Sequence, residues 1–356
     1  MKYIIGANPA APSTVAVDED STGQRLDNFL MRHLKGVPKT HVYRIIRSGE
    51  VRVNKGRAQA DTRVAAGDVV RLPPVRISDK VAEKADNPAP AREFPILMED
   101  EYLIAIDKPA GVAVHGGSGV SFGVIEQLRR ARPQAKFLEL VHRLDRDTSG
   151  ILLVAKKRSA LTHLQNQFRE RETGKTYLAL VQGTWPANKK VLDKPLVKFL
   201  LPGVDGKEGE RRVKVTTKDD ADGMKSVTLV KVTSFPLLPP VVSLPLPLGQ
   251  GGGEGRAKGQ PNPRPFTLLE VTLKTGRTHQ IRVHLANEGH PIAGDDKYGD
   301  FEWNKALQKQ GLKRMFLHAW QLRFSHPSDQ HAVSLLAELP TELQKVADLN
   351  HFHAVR

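Results

Sequence analysis

Apolar residues recur along this chain at two periods. Leu26, Phe29 and Leu30 fall at i, i+3 and i+4, one face of a helix, and Val42, Ile45 and Ile46 repeat that spacing. Ser48-Gly49 supplies a stop for the second helix. Val51 and Val53 then alternate as a strand, Asn54-Lys55-Gly56 reads as a turn, and Val69-Val70-Arg71-Leu72 reads as a second short strand after the Gly67-Asp68 turn. Further strands are expected at 102–106, 150–155, 175–182, 226–233 and 267–274. Helices are expected at 158–170, carrying Leu161, Leu164 and Phe168, and at 278–287, carrying Ile281, His284 and Leu285.

Breaks in these patterns divide the chain. Residues 1–14 read as an unstructured leader and 15–75 as a compact unit. Residues 76–94, rich in charge, Ala and Pro, read as a linker. Residues 95–345 form a larger unit that mixes strands and helices, and 346–356 a tail. Inside the larger unit, eight Pro and six Gly lie between Pro236 and Pro265. Such a stretch buries too little apolar surface to offset its ordering entropy, and is expected to be an insertion, not a domain boundary.

Composition narrows the function classes. The 356 residues suit one large domain plus a small one. With 54 Lys and Arg against 39 Asp and Glu, the net charge of +15 favours a polyanionic partner, because cations placed near phosphates release condensed counterions. The absence of cysteine excludes disulfides, thiolate nucleophiles and Cys-ligated zinc. His279, His284 and His290 lack the spacing of a metal set, so no metal is expected. No apolar run approaches the roughly 20 residues that span a bilayer, and Met1 to Pro12 lack the pattern of a secretory signal, so a cytoplasmic, non-membrane protein is expected.

The densest polar run is His142-Arg-Leu-Asp-Arg-Asp-Thr-Ser-Gly150, followed by the apolar strand candidate Ile151-Leu-Leu-Val-Ala. Charges at the mouth of a buried strand are aimed by a rigid scaffold, and neighbouring arginines favour the ionised form of Asp145 or Asp147, suiting either to nucleophilic work. Three other readings compete. Asp145-x-Asp147-x-Ser149-Gly150 imitates the start of an EF-hand, but the twelfth position is Lys156 where a bidentate Glu belongs. A glycosidase pair needs one protonated carboxyl, which the surrounding cations disfavour. A purely structural ion cluster stays open on local chemistry alone. A second basic concentration lies between Arg25 and Arg57, with nine basic residues against Asp27 and Glu50. Lys39, Arg44 and Arg47 flank the second helix, and Arg52, Lys55 and Arg57 follow on the strand and turn, as either a phosphate grip or a solvated face.

Two resemblances bear on these choices. Gly23-Gln-Arg-Leu-Asp-Asn-Phe-Leu, Tyr43-Arg-Ile-Ile-Arg-Ser-Gly-Glu-Val-Arg-Val-Asn-Lys and Ala66-Gly-Asp resemble the S4 RNA-binding domain over 20–75. That resemblance implies a small αL-type fold gripping structured RNA through Lys39, Arg44, Arg47 and Lys55. The run from His142 to Gly150 resembles the signature of the RluA superfamily of pseudouridine synthases. Asp107-Lys-Pro-Ala-Gly, Lys175-Thr-Tyr-Leu-Ala-Leu-Val-Gln-Gly, Thr275-Gly-Arg-Thr-His-Gln-Ile-Arg-Val-His with Gly289-His-Pro-Ile-Ala-Gly-Asp, and Leu317-His-Ala with Phe324-Ser-His-Pro resemble its other motifs, the last two as a C-terminal strand pair. Lys35-Gly-Val-Pro-Lys and Leu72-Pro-Pro-Val-Arg are most similar to the type within it that modifies 23S rRNA of the large ribosomal subunit.

The resemblance implies an α+β fold: a small S4 domain followed by a catalytic domain with a mixed, mostly antiparallel sheet flanked by helices and loops. It implies a monomer that needs no cofactor, since the isomerisation of uridine to pseudouridine gains and loses no atom. Asp145 is then the nucleophile or base, Arg282 its ionic partner, and Tyr177 the ring against the uracil, with a hydroxyl that assists a late proton removal. Arg143 enters the stack vacated by the flipped base; the plainer reading is a phosphate contact or an ion pair with Asp147. Arg277 and His279 are candidate RNA or site-wall contacts. A non-catalytic RNA-binding factor and a hydrolytic nucleosidase are the competing functions.

Overall fold

The computed structural model describes residues 12–34, 37–75, 89–117, 122–202, 210–233, 242–243 and 265–348. The chain divides into two compact units, Met1–Arg92 with Arg129–Phe137, and Glu93–Leu128 with Leu138–Arg356.

In the first unit, strand β1 (Ser13–Ala16) precedes helices α1 (Leu26–His33) and α2 (Lys39–Arg47) and strands β2 (Arg52–Val53) and β3 (Val69–Leu72). The three strands form an antiparallel sheet in the order β1-β3-β2. Leu26, Phe29 and Leu30 of α1 and Val42, Ile45 and Ile46 of α2 meet Val51, Val70 and Leu72 in one apolar cluster. The 3-4 spacing of the helices and the period-2 spacing of the strands therefore converge on the same core. Strand β1 begins at Ser13, inside the segment expected to be an unstructured leader; backbone pairing from Ser13↔Leu72 to Ala16↔Val69 orders it without a large apolar side chain. The rest of that segment, residues 1–11, and residues 76–88 of the expected linker lie outside the described residues.

The second unit is built on β4 (Ile96–Glu99), β5 (Leu103–Lys108), α3 (Val124–Ala131), β6 (Glu139–Leu140), β7 (Ser149–Ala155), α4 (Arg158–Glu170), β8 (Gly174–Gln182), β9 (Val191–Asp193), β10 (Leu196–Leu201), β11 (Glu210–Val215), β12 (Val227–Val232), β13 (Val242–Ser243), β14 (Pro265–Leu273), α5 (Gln280–Asn287), α6 (Phe301–Lys309), β15 (Leu317–Ser325), β16 (Ala332–Leu336) and α7 (Thr341–Asp348). Its sheet runs β4-β5-β7-β15-β8-β14-β12-β9, with β13 on β14, β16 on β15 and β6 on β7. Strands β7 and β15 are parallel and the other named pairs antiparallel, as a mixed, mostly antiparallel sheet requires. β10 and β11 form a separate antiparallel hairpin.

Alternation on the central strands assigns each face to its cover. Ala179 and Val181 of β8 and Leu269 and Val271 of β14 pack with Ile281 and Leu285 of α5. Leu178, Leu180, Phe266 and Leu268 point the other way, onto Trp303 and Leu307 of α6 and Leu343 and Val346 of α7. All seven residues of β7 are buried, as its unbroken apolar run leads one to expect of a strand covered on both faces.

Several boundaries differ from the sequence expectation. Phe94, the end of the expected linker, is buried in the second unit's core. Helix α7 extends to Asp348 and buries Val346, the first residue of the expected tail, because the apolar face completed by Leu343 and Val346 seals the sheet. Residues 349–356 lie outside the described residues. Of the Pro/Gly-rich insertion at 236–265, the described residues are 242–243 and 265, and the pairing Val242↔Phe266 and Ser243↔Pro265 starts β14 two residues before the expected 267. Leu317-His-Ala and Phe324-Ser both lie on β15 and are not partners; the second member of the C-terminal pair is Ala332–Leu336.

Candidate active site

The run from His142 to Thr148 leads into β7 and is held on several sides. Leu144 is buried among Ile104, Ile106, Leu152 and Val154. The amide of Thr148 donates to the Asp145 carbonyl at 3.2 Å, closing a turn. The Arg146 carbonyl accepts from the Gly111 amide at 2.9 Å and from Lys108 Nζ at 3.1 Å. Lys108 is wholly buried and donates also to the carbonyls of Pro109 and Val112, at 2.8 Å each. Burial pulls its pKa down to about 7, against the opposite pull of Asp147 and Asp145. His142 stacks on Phe168 and accepts the Leu153 amide on Nε2 at 3.1 Å, so it fastens the loop to β7. Gly150 has φ +107°, and a Cβ there would lie 2.2 Å from the Ala319 carbonyl oxygen. The parallel approach of β7 to β15 therefore needs glycine at this position. Beside it, Arg314 donates to Ser149 Oγ at 2.7 Å, and Ser149 Oγ lies 2.8 Å from His318 Nδ1, whose other nitrogen meets the Ala337 carbonyl at 3.1 Å.

A second loop, Thr275 to His279, faces the first. Buried Gln280 anchors it. Its amide oxygen accepts from Thr275 Oγ1 at 2.8 Å and the Arg277 amide at 3.0 Å, and its NH2 donates to the Val227 carbonyl at 3.0 Å and Thr228 Oγ1 at 2.9 Å. His279 caps α5 with φ +53°, a left-handed conformation uncommon outside glycine, so the helix starts at Gln280 and not at 278. Arg282 follows on the first turn.

These loops bring Arg282 Nη1 to 3.7 Å and His279 Nε2 to 3.9 Å from Asp145 Oδ2. Arg282 is buried and is held by Asp295 through Nε–Oδ2 and Nη2–Oδ1 bonds of 2.8 and 2.7 Å. Burial disfavours its charge, but the Asp295 bonds and the nearby Asp145 carboxylate outweigh that and raise its pKa. Burial works in the same sense against the Asp295 anion, and the Arg282 bonds reverse it, so the Asp295 pKa is lowered. For His279, burial lowers the pKa against the pull of Asp145. Two adjoining cavities of about 380 and 260 Å³ share Arg143, Leu144, Asp145, His279 and Arg282 as walls, a scale of enclosure typical of small-ligand sites.

Tyr177 and Arg277 line the smaller cavity with Lys175. Tyr177 lies on the face of β8 that packs toward α5, and its pKa is raised by burial and then by the Asp145 charge. Arg277 donates to the Lys225 carbonyl at 3.2 Å. Arg143 is exposed, and among the described residues its guanidinium has no ion pair; the partner of Asp147 is Arg146, at 3.2 Å. Lys39, Arg44 and Arg47 lie on the exposed side of α2, whereas Lys55 shares a hollow on the small sheet with Arg52 and Arg71. Sequence reasoning missed Asp295, Lys108, Gln280 and Tyr298. Each stands inside or beside a quoted motif, but none has a local pattern that reveals its partner. Among the described residues one trio has the identity of metal ligands: His326, Asp329 and His331, on the β15–β16 turn. Their donor atoms are engaged by Asp100, Ser328 and one another.

Comparison with known proteins adds an independent line. A family model described as RNA pseudouridylate synthase matches residues 102–287, and an S4 domain model matches 24–70. The ribosomal large subunit pseudouridine synthase C of Yersinia pestis is 47% identical over 334 residues, 93% of each chain. Its namesake from Pasteurella multocida is 46% identical over 340 residues, 94% of this chain and 93% of the relative. Among solved structures, human RNA pseudouridylate synthase domain containing 4 superposes with a TM-score of 0.51 at 26% identity, over 72% of this chain and 92% of the other.

Proposed function

Because the chain belongs to the RluA superfamily of pseudouridine synthases, RluC type with an S4 domain, we propose that it isomerises uridines of 23S rRNA, with Asp145 as the catalytic residue. The observation that carries this reading is the facing of the Asp145 carboxylate and the fixed Arg282 cation, 3.7 Å apart on the wall common to both cavities. The large-subunit target rests on the relatives, each a ribosomal large subunit pseudouridine synthase C.

The reaction breaks the N1–C1′ bond of uridine, turns the uracil and rejoins it through C5. Attack at C1′, addition to C6 and removal of a sugar proton all begin from an ionised carboxylate within reach of the nucleotide. Arg282, locked by Asp295, holds its cation 3.7 Å from that carboxylate and spends no reorganisation on doing so. Tyr177 packs its ring against the uracil. Its raised pKa keeps the phenol protonated, so the hydroxyl assists proton removal only as a neutral group. A base stacked in a helix must first be flipped out at a cost of a few kcal/mol; Arg143, exposed beside Asp145 and without an ion pair among the described residues, fills the gap it leaves. Arg277 and His279 wall the nucleotide. The exposed cations of α2 and the Lys55 hollow hold RNA phosphates, and the enzyme works as a monomer, without metal or cofactor.

The test is to incubate the purified chain with 23S rRNA transcript and chromatograph the nucleosides after digestion. Pseudouridine retained in the RNA is expected. RNA left unmodified would overturn the assignment, and release of free uracil would replace it with hydrolysis.

A further inference from the structure

Tyr298 touches both groups that face Asp145. Its hydroxyl accepts the Val213 amide of β11 at 3.1 Å and lies 2.8 Å from His279 Nδ1. Its ring meets the imidazole edge-on, with centroids 5.5 Å apart at 70°, and supports the Arg282 guanidinium 5.2 Å from its centroid. Its own amide donates to Asp295 Oδ1 at 3.0 Å, which ties the residue to the anion that grips Arg282.

Proton counting at this junction favours one arrangement. The Val213 N–H is a donor only and occupies one lone pair of the phenol oxygen. If His279 carried its proton on Nδ1, it would donate to Tyr298, and the bare Nε2 lone pair would confront Asp145 Oδ2 at 3.9 Å. Two electron-rich atoms would then oppose each other, and the Tyr298 O–H would have no acceptor among the described residues. If Nδ1 is bare, Tyr298 O–H donates to it and Nε2–H faces the carboxylate. At 3.9 Å that is a dipole aimed at a charge, not a hydrogen bond. The neutral ring this requires agrees with the lowering of the His279 pKa by burial.

We propose that Tyr298 is a positioning residue: its hydroxyl fixes His279 as the Nε2–H tautomer, so that Asp145 faces an oriented donor as well as a cation. The tautomer stands on this geometry together with the neutral ring that burial favours; its consequence for turnover rests on the assignment of Asp145 to the chemistry. Because the tautomer is read without RNA, the two can fail separately.

The experiment is a long-range 1H–15N correlation of the imidazoles in the full-length, 15N-labelled protein at pH 7, with His279 assigned from the spectrum of His279→Gln. A pyrrole-type Nε2 and a pyridine-type Nδ1 are expected. A protonated Nδ1, alone or in an imidazolium, would overturn the proposal. Tyr298→Phe keeps the ring under Arg282 and removes the hydroxyl. It should raise the share of the Nδ1–H form, then opposed by Asp145 alone, and lower kcat by about tenfold, the loss of roughly one hydrogen bond, with KM within about twofold. An unchanged tautomer in Tyr298→Phe would equally overturn it.

Discussion

Arg282 is bound more tightly to Asp295 than to Asp145: two bonds of 2.7 and 2.8 Å to the first, one approach of 3.7 Å to the second. The cation is thus fixed by a buried carboxylate that also accepts the Lys297 and Tyr298 amides, and the carboxylate lining the cavity is left accessible. This division makes Asp295 a sensitive position. Asp295→Ala leaves a buried guanidinium without its counter-charge and should cost about 3–5 kcal/mol of stability, read from denaturant midpoints. Asp295→Asn keeps the shape but loosens the grip, and kcat/KM should fall on the order of 100-fold, as for an ångström-scale misplacement of a catalytic partner.

Gly150→Ala tests the seam between the parallel strands. The added methyl meets the Ala319 backbone at 2.2 Å in a left-handed conformation. The expected loss is roughly 2–4 kcal/mol, from strain plus overpacking, in a chemical denaturation series.

Acid should weaken the fold through His318. Burial lowers its pKa from 6.5 to about 4. Between those values the unfolded chain binds a proton that the folded chain does not. The His318 contribution to stability is therefore complete above pH 6.5 and is lost as pH falls toward 4, by on the order of 3 kcal/mol. His318→Gln should flatten that part of the stability–pH curve.

The small unit should supply salt-sensitive affinity. In a filter-binding series against ionic strength, Lys39→Gln with Lys55→Gln should weaken RNA binding and reduce the slope of log K on log salt by about 0.7–0.9 for each phosphate no longer neutralised. An unchanged slope would place the grip elsewhere.

Much of this molecule was legible from local patterns. Leu26, Phe29 and Leu30 announced α1, and the apolar run after Gly150 announced β7, because each element's core face repeats at its own period. The hairpin β10–β11 was not legible. It is largely half-exposed, so its alternation carries little apolar contrast. Helix α6 was missed because Phe301 is exposed while the buried Trp303 and Leu307 give only a sparse stripe. In the site, Asp145 and Asp147 stood out alike as carboxylates among cations ahead of a strand, and only the family resemblance pointed to Asp145. The link from Arg282 to Asp295, thirteen residues along, depends on a turn that no periodicity encodes. The same holds for Gln280, two of whose four bonds reach β12 across some fifty residues.

The central claim is chemical work by the Asp145 carboxylate. Asp145→Asn removes the charge and keeps the volume. With this variant, 23S rRNA binding should stay within about threefold of the parent while pseudouridine in the product falls below detection, the outcome for an essential nucleophile or base. Pseudouridine formed at the parental rate by Asp145→Asn would contradict the account.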